Sequence, residues 1–268
     1  MQRALVTGIA VAVICSVVGI FLVLRRQSLF GDALAHMAFG GIAVGAISGV
    51  YPLWAAFAFS ILGALGITKL KQSTRIPPET AVAILLSSGL ALGVVLYGVF
   101  GFSTSLESIL FGSILLVSNQ DTAMILLVAA GVLAVMAALY RKLVYMAFDE
   151  EQARVSGLQV SKLNYLFMIV ASITVVASIR LVGILLISSL IVIPSISAMM
   201  LGKGFKKTLL ISVAMSVFSV VTGIIVSYAA DIPPGGTIVL VTIAVFLAIL
   251  GWKSVRKARL HETLVTRQ

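Results

Sequence analysis

Long uncharged apolar segments recur along the whole chain, and they restrict its fold more than any other feature of the sequence. A helix that crosses the ~30 Å hydrocarbon core of a bilayer needs about 20 mostly apolar residues. We therefore predict an all-α fold, a bundle of eight or nine transmembrane helices that forms a single domain over residues 1–268. The nine candidate segments, divided at charged and turn-forming residues, lie at about 4–24, 30–50, 53–68, 80–102, 122–140, 164–179, 181–201, 208–230 and 236–252.

The composition excludes a water-soluble domain, because 60% of the residues are hydrophobic and only 10% are charged. Soluble domains average about 45–50% apolar and about 25% charged residues. The number of spans stays open, since only Arg180 separates the segments at 164–179 and 181–201. A further apolar stretch at 101–121 fits a re-entrant or interfacial helix.

The distribution of positive charge predicts how the chain is oriented in the membrane. The chain has 19 Lys and Arg against 9 Asp and Glu, and its net charge is +10. If nine spans end with a cytoplasmic C-terminus, every Lys and Arg except Arg3 and Arg180 falls on the cytoplasmic side, as the positive-inside rule requires. The N-terminus then lies outside. We interpret the basic stretch at 253–259 as an anchor at lipid head groups and do not expect a nucleic-acid partner.

Asp32 and His36 form the clearest ionisable pair within the candidate spans. Their spacing of four places both on one face of a helix, and a rise of 1.5 Å per residue from Arg26 puts them about 9 and about 15 Å into the membrane. An Asp oxygen and a His nitrogen both bind Zn²⁺ or Mn²⁺, so we predict metal ligands along a transport path. Two alternatives stay open: Asp32 caps the helix while His36 is a packed core residue, or the pair relays protons in a secondary transporter.

Small residues on the same segment predict close helix packing. Gly41, Gly45 and Gly49 recur at every fourth position, which lets another backbone approach one face of the helix.

A polar loop at 148–158 carries the second candidate site. Asp149, Glu150 and Glu151 suit the first turn of a short helix, Arg154 follows them, and Gly157 ends it. Such a helix could dock into a groove on a cytoplasmic partner, and the alternative is an ordinary solvated connector. The sequence lacks a phosphate loop, a zinc-protease motif and a nucleophile elbow. We therefore do not predict an enzyme, and ATP-driven transport would need a separate ATPase chain.

Taken together, these segments resemble the integral-membrane permease of zinc/manganese uptake ABC transporters over essentially the whole chain. The matching blocks occur in the family's order. They are residues 1–5, 22–36 with Gly31-Asp32-Ala33-Leu34, Glu79-Thr80-Ala81, 110–115, 148–158, 181–198, and 231–240 with Pro233-Pro234-Gly235.

The resemblance implies a permease of the type II ABC importer kind in the cell membrane. It implies a homodimer, a separate cytoplasmic ATP-binding subunit, and an extracytoplasmic metal-binding protein that delivers the ion. The family's intramembrane Asp and His correspond to Asp32 and His36, and its coupling helix to residues 149–157. It implies no permanently bound cofactor, only a transported ion such as Zn²⁺, Mn²⁺ or Fe²⁺. A proton-coupled metal transporter or channel and a cobalamin- or siderophore-type permease are the alternatives.

Overall fold

A computed structural model describes residues 2–73, 77–101, 110–112 and 119–265 of the chain. These ranges contain helices and no strand, so the all-α prediction is confirmed. The helices are α1 (Gln2–Leu24), α2 (Phe30–Ser48), α3 (Pro52–Ser73), α4 (Pro78–Phe100), α5 (Asn119–Phe148), α6 (Glu150–Val155), α7 (Val160–Val182), α8 (Ile187–Met200), α9 (Phe205–Ala230) and α10 (Pro234–Val265).

Eight of these helices, all except α6 and α8, are long and apolar enough to cross a membrane. Several extend beyond the predicted segments, because a charged residue ends an apolar run without ending a helix. Helix α5, for example, continues through Arg141 and Lys142 to Phe148. The apolar stretch at 101–121 lies mostly outside the described residues.

The seventh predicted segment, 181–201, is divided into three parts. Helix α7 ends at Val182, Gly183 follows with a φ of +80°, and a 3-10 turn at Ile184–Leu186 leads into the short helix α8. Pro194 lies inside α8. Because Gly183 adopts a backbone conformation that side chains disfavour, it separates α7 from α8, so the boundary between the predicted segments 164–179 and 181–201 lies at Gly183 and not at Arg180.

Helix α8 nevertheless connects the two ends of the bundle. At one end, Gly183 and Gly235 both lie against the backbone of Phe111. At the other end, Lys253 Nζ donates a 2.7 Å hydrogen bond to the carbonyl of Met200. The 3-10 turn and α8 therefore run beside α10 from Gly235 to Lys253, although α8 has only 14 residues and is not among the eight helices long enough to cross a membrane.

Helix α1 lies at the centre of the bundle, in contact with α5, α7, α8 and α9. It carries apolar residues all round, as expected of a helix enclosed by other helices. Hydroxyl groups bond across its interfaces: Ser16 Oγ lies 2.7 Å from Ser212 Oγ, and Ser216 Oγ donates to the carbonyl of Ala12 at 3.1 Å. These bonds pair polar groups that would otherwise be buried in an apolar environment.

Helix α2 packs between α3 and α4, and its glycines differ in what they do. A Cβ added at Gly41 would lie 2.7 Å from the carbonyl oxygen of Ala55, and one at Gly45 would lie 3.0 Å from Cα of Pro52. These two glycines therefore allow the close contact between α2 and α3. Gly49 instead follows the helix at a φ of +70°, with no described atom within 4 Å of its Cβ position, so it ends α2 and takes no part in the packing.

Candidate functional site

Asp32 lies in the first turn of α2, inside the bundle. A Cβ at Gly31 would lie 3.5 Å from Cδ1 of Ile191, and the same residue packs against Gly19 of α1. Gly19 precedes Arg25 by about 9 Å along α1 at 1.5 Å per residue. The start of α2 that carries Asp32 therefore lies beside an interior turn of α1 and not beside the end of α1.

The carboxylate of Asp32 is not the cap of its helix. Helix α2 begins at Phe30 with Leu29 at the N-cap position, so the capping alternative is wrong. The hydroxyl of Ser188, in the first turn of α8, instead hydrogen-bonds to the Asp32 side chain. Asp32 also lies in the first turn of α2, and the positive end of that helix's dipole favours the negative charge of its carboxylate.

His36 lies one turn further along α2 and is 9% exposed. Its Nδ1 atom is buried and finds no hydrogen-bond partner among the described residues. A Cβ added at Gly89 of α4 would lie 2.6 Å from the carbonyl carbon of His36, so a glycine of a second helix covers this backbone. His36 also interacts electrostatically with Asp32. A hydrogen-bonded core histidine would not leave Nδ1 unpaired, whereas a metal ligand needs a nitrogen that no proton donor occupies.

The pair supplies only two of the ligands that a metal ion would need. In the described ranges, no group of three or more His, Cys, Asp or Glu side chains is placed to hold an ion. Water, hydroxyl or carbonyl oxygens, or another chain would complete the coordination. A partial site suits transport, because a permeating ion must be released after it binds.

The predicted helix of the polar loop is α6. Asp149 is its N-cap, and its Oδ1 accepts a 2.9 Å hydrogen bond from the backbone N–H of Gln152. Glu150 and Glu151 occupy the first turn, Arg154 lies in the last turn, and Gly157 follows with a φ of +82°. All four of these residues that follow the cap are exposed, and so is Val155. Helix α6 therefore presents a short polar surface at the same end of the bundle as Arg25.

Sequence reasoning gave Arg25 only a topological role, but the structure shows a buried connection. Its side chain is 7% exposed and lies 3.8 Å from Glu150 of α6. It donates a hydrogen bond to Asn164 Oδ1 of α7, and its Cζ lies 5.6 Å from the ring centroid of Phe167. Burial lowers the pKa of the Arg25 guanidinium, while Glu150 raises it.

Ser188 was missed as well, and neither residue carries a distinctive sequence signal. Arg25 is followed by the exposed Arg26, and Ser188 by a second serine. Adjacent residues of the same type cannot be told apart until the fold shows which one meets a partner.

Comparison with known proteins gives consistent matches over most of the chain. The family model described as the ABC 3 transport family matches residues 1–253. A protein of Treponema pallidum named "Probable metal transport system membrane protein" is 35% identical and covers 97% of both chains. The "Manganese import system permease protein ScaB" of Streptococcus parasanguinis is 35% identical, covering 92% of this chain and 88% of that protein.

A solved structure agrees in fold. The structure of PsaBC from Streptococcus pneumoniae in complex with Fab superposes with a TM-score of 0.84 at 33% identity, covering 92% of this chain and 90% of that one.

The fold and these matches therefore define a multi-pass membrane protein of the permease class, a subunit of an ABC transporter. The chain belongs to the ABC 3 transport family. As a permease subunit it does not hydrolyse ATP itself, and hydrolysis falls to a separate subunit. Membership of the family implies two partners, an ATP-binding subunit and a substrate-binding protein. The family resemblance predicted from the sequence is thus confirmed.

Proposed function

We propose that this permease moves a divalent transition metal ion into the cytoplasm, with Asp32 and His36 as transient ligands on its path. The observation that carries the proposal is the buried Nδ1 of His36, which has no hydrogen-bond partner in the described part of the chain and lies one helical turn from Asp32. An unpaired buried nitrogen costs about 1–3 kcal/mol, and a passing cation offsets that cost. The names of the relatives, which specify metal and manganese transport, support the same class of substrate.

Mn²⁺ is the first ion to test, with Zn²⁺ and Fe²⁺ as competitors. A carboxylate oxygen and an imidazole nitrogen suit all three ions, and affinity order alone does not select among them. The delivering binding protein is a second place where selection can occur. The ion is cargo in this scheme, and the permease itself carries no resident cofactor.

We infer that the end of the bundle with Arg25, α6 and the contact between Met200 and Lys253 faces the cytoplasm. Nine passages then place the N-terminus outside and the C-terminus inside, in agreement with the distribution of Lys and Arg. In a homodimer surrounded by lipid, each copy would present α6, through Asp149, Glu150, Glu151, Arg154 and Gly157, to its ATP-binding subunit. Closure of those subunits would shift the permease between outward-open and inward-open states.

The test is metal uptake by the three-component system in proteoliposomes. Asp32→Asn and His36→Ala should each lower Mn²⁺ uptake at least about tenfold, because the first removes the negative charge of one protein ligand and the second removes the other ligand. Both variants should still assemble with the ATP-binding subunit. Asp231→Asn makes the same chemical change at an exposed turn after α9 and is the matched control.

Competition by Zn²⁺ and Fe²⁺ in the same vesicles measures selectivity. Undiminished uptake by both Asp32→Asn and His36→Ala would remove the pair from the path. Uptake by this chain alone under a proton gradient would contradict the ATP-driven scheme.

A further inference from the structure

Arg25 connects three elements at the corner between α1 and α2. Asn164 and Phe167, which it contacts through a hydrogen bond and a cation–π interaction, both belong to α7. Glu150, the acid paired with it at 3.8 Å, belongs to α6. A guanidinium that is 7% exposed depends on such partners, because a buried charge without compensation is strongly unfavourable. A movement of α6 would therefore displace Glu150, the acid paired with Arg25 at this corner.

Glu150 is shared between two cations. Its Oε2 lies 3.8 Å from Nη2 of Arg25, and its Oε1 lies 3.8 Å from Nη2 of Arg154. Neither distance is that of a tight hydrogen bond. The Arg154 side chain is 71% exposed. A displacement of α6 can therefore strengthen the buried pair or weaken it in favour of the exposed one.

The corner has room and unused hydrogen-bonding capacity for a second arrangement. Arg25, Gln27, Glu150 and Arg154 line one cavity of about 860 Å³. In the described part of the chain, Nη1 of Arg25 and Oε1 of Gln27 are buried and lack partners. Among the described residues, Arg25 thus offers an unpaired donor and Gln27 an unpaired acceptor. Both lie next to α6, the helix that is expected to move.

The backbone from Arg25 to α2 is short and hydrogen-bonded. The N–H of Gln27 donates to the carbonyl of Leu22 at 2.8 Å, and the N–H of Phe30 donates to the carbonyl of Gln27 at 3.1 Å. This turn leads directly into the first turn of α2, which carries Asp32. This turn is the shortest covalent route from Arg25 to Asp32, and its hydrogen bonds link the end of α1 to the start of α2.

We propose that Arg25 is the positioning residue that transmits movement of α6 to Asp32 and His36. This inference rests on the proposed function, because it assigns to Arg25 the link between the ATP-binding subunit and the metal path. Arg25 itself does not touch the ion.

The test is a double-mutant cycle in the reconstituted three-component system, with Arg25→Lys, Glu150→Gln and the combined variant. Arg25→Lys keeps the charge but loses the planar guanidinium, whose Nη2 meets both Asn164 and Glu150 and whose Cζ lies over the Phe167 ring. The readouts are assembly with the ATP-binding subunit, ATPase rate, and Mn²⁺ transported per ATP hydrolysed. Arg26→Lys makes the same chemical change at the neighbouring exposed arginine, which belongs to neither proposed site, and is the matched control.

We expect each single variant to lower Mn²⁺ transported per ATP about tenfold while the ATPase rate stays within about twofold. The combined variant should be no worse than the worse single variant, because both interrupt one connection. Arg26→Lys should stay within about twofold of the unmodified protein on every readout.

Unchanged Mn²⁺ per ATP in the single variants, or losses that multiply in the combined variant, would overturn the inference. So would loss of assembly by Arg25→Lys together with unchanged transport by Glu150→Gln, since Arg25 would then be purely structural. The Asp32→Asn arm separates this outcome from failure of the proposed function. If Asp32→Asn stops uptake but the Arg25 cycle shows no uncoupling, only the role of Arg25 is lost.

Discussion

Single residues around α2 show how a polar pair is held inside an apolar bundle. His36 depends on Gly89, whose missing side chain lets α4 lie against the His36 backbone. Asp32 depends on Ser188, a hydroxyl from the start of α8. Both supports come from distant parts of the sequence, so the pair is built by packing as well as by its helical spacing.

Gly89→Ala should destabilise the protein. The added Cβ would lie 2.6 Å from the carbonyl carbon of His36 and from the backbone nitrogen of Met37, neither of which can rotate away. Overpacking of this kind costs about 1–3 kcal/mol, so the melting temperature in detergent should fall. The control is Gly98→Ala in the same helix, where no described atom lies within 4 Å. Equal melting temperatures for the two variants would contradict the close contact.

Ser188→Ala should weaken transport without affecting assembly. Loss of one hydrogen bond to the Asp32 carboxylate is worth about 1.5–3 kcal/mol for a charged partner, so the Mn²⁺ concentration needed for half-maximal uptake should rise. Ser188→Thr keeps the hydroxyl and should retain most of the activity. Ser189→Ala is the adjacent control, and an equal loss in that variant would argue against a specific contact with Asp32.

At the scale of elements, short pieces of backbone decide what the long helices can do. Helix α6 has six residues, which is too few to be stable alone, and it relies on its cap. The turn between α1 and α2 holds Arg25 where α6 and α7 meet it. Gly183 divides two helices in the middle of an apolar run.

Asp149→Ala should weaken docking of the ATP-binding subunit through loss of the cap. Removing an N-cap costs about 1 kcal/mol, which corresponds to about fivefold in affinity if α6 must be folded to bind. Asp149→Asn keeps an acceptor for the Gln152 N–H and should bind nearly as well as the unmodified chain. Binding would be measured with the purified partner in detergent. Equal losses in both variants would assign the effect to charge instead of capping.

At the scale of the whole molecule, the path of α8 fixes the topology. If α8 crosses, Ser156 and Lys203 lie on the cytoplasmic side, and Asp231 lies outside. If α8 were to turn back, Lys203 would lie outside and Asp231 inside. The two arrangements therefore differ at sites that a membrane-impermeant reagent can reach.

Cysteine labelling in oriented vesicles measures this difference. In a Cys15→Ser background, Ser156→Cys and Lys203→Cys should react only from the cytoplasmic face, and Asp231→Cys only from the outer face. Cys15→Ser removes the buried thiol of Cys15. The background protein therefore carries no reactive thiol. Labelling of Lys203→Cys from outside would show that α8 does not complete the ninth passage.

Four features follow from the amino-acid sequence without the fold: the membrane bundle, the positions of its long helices, the Asp32 and His36 pair on one face, and the existence of α6. Each of these follows from local rules: lipid requires about 20 apolar residues per span, helical periodicity aligns residues four apart, and Asp149 and Gly157 mark a helix start and stop. The fold was needed to show that α7 ends at Gly183, that α2 ends at Gly49, that Ser188 meets Asp32 and that Arg25 meets Glu150. Those contacts join residues far apart in the chain, and no sequence period records them, because they depend on which helix faces pack together.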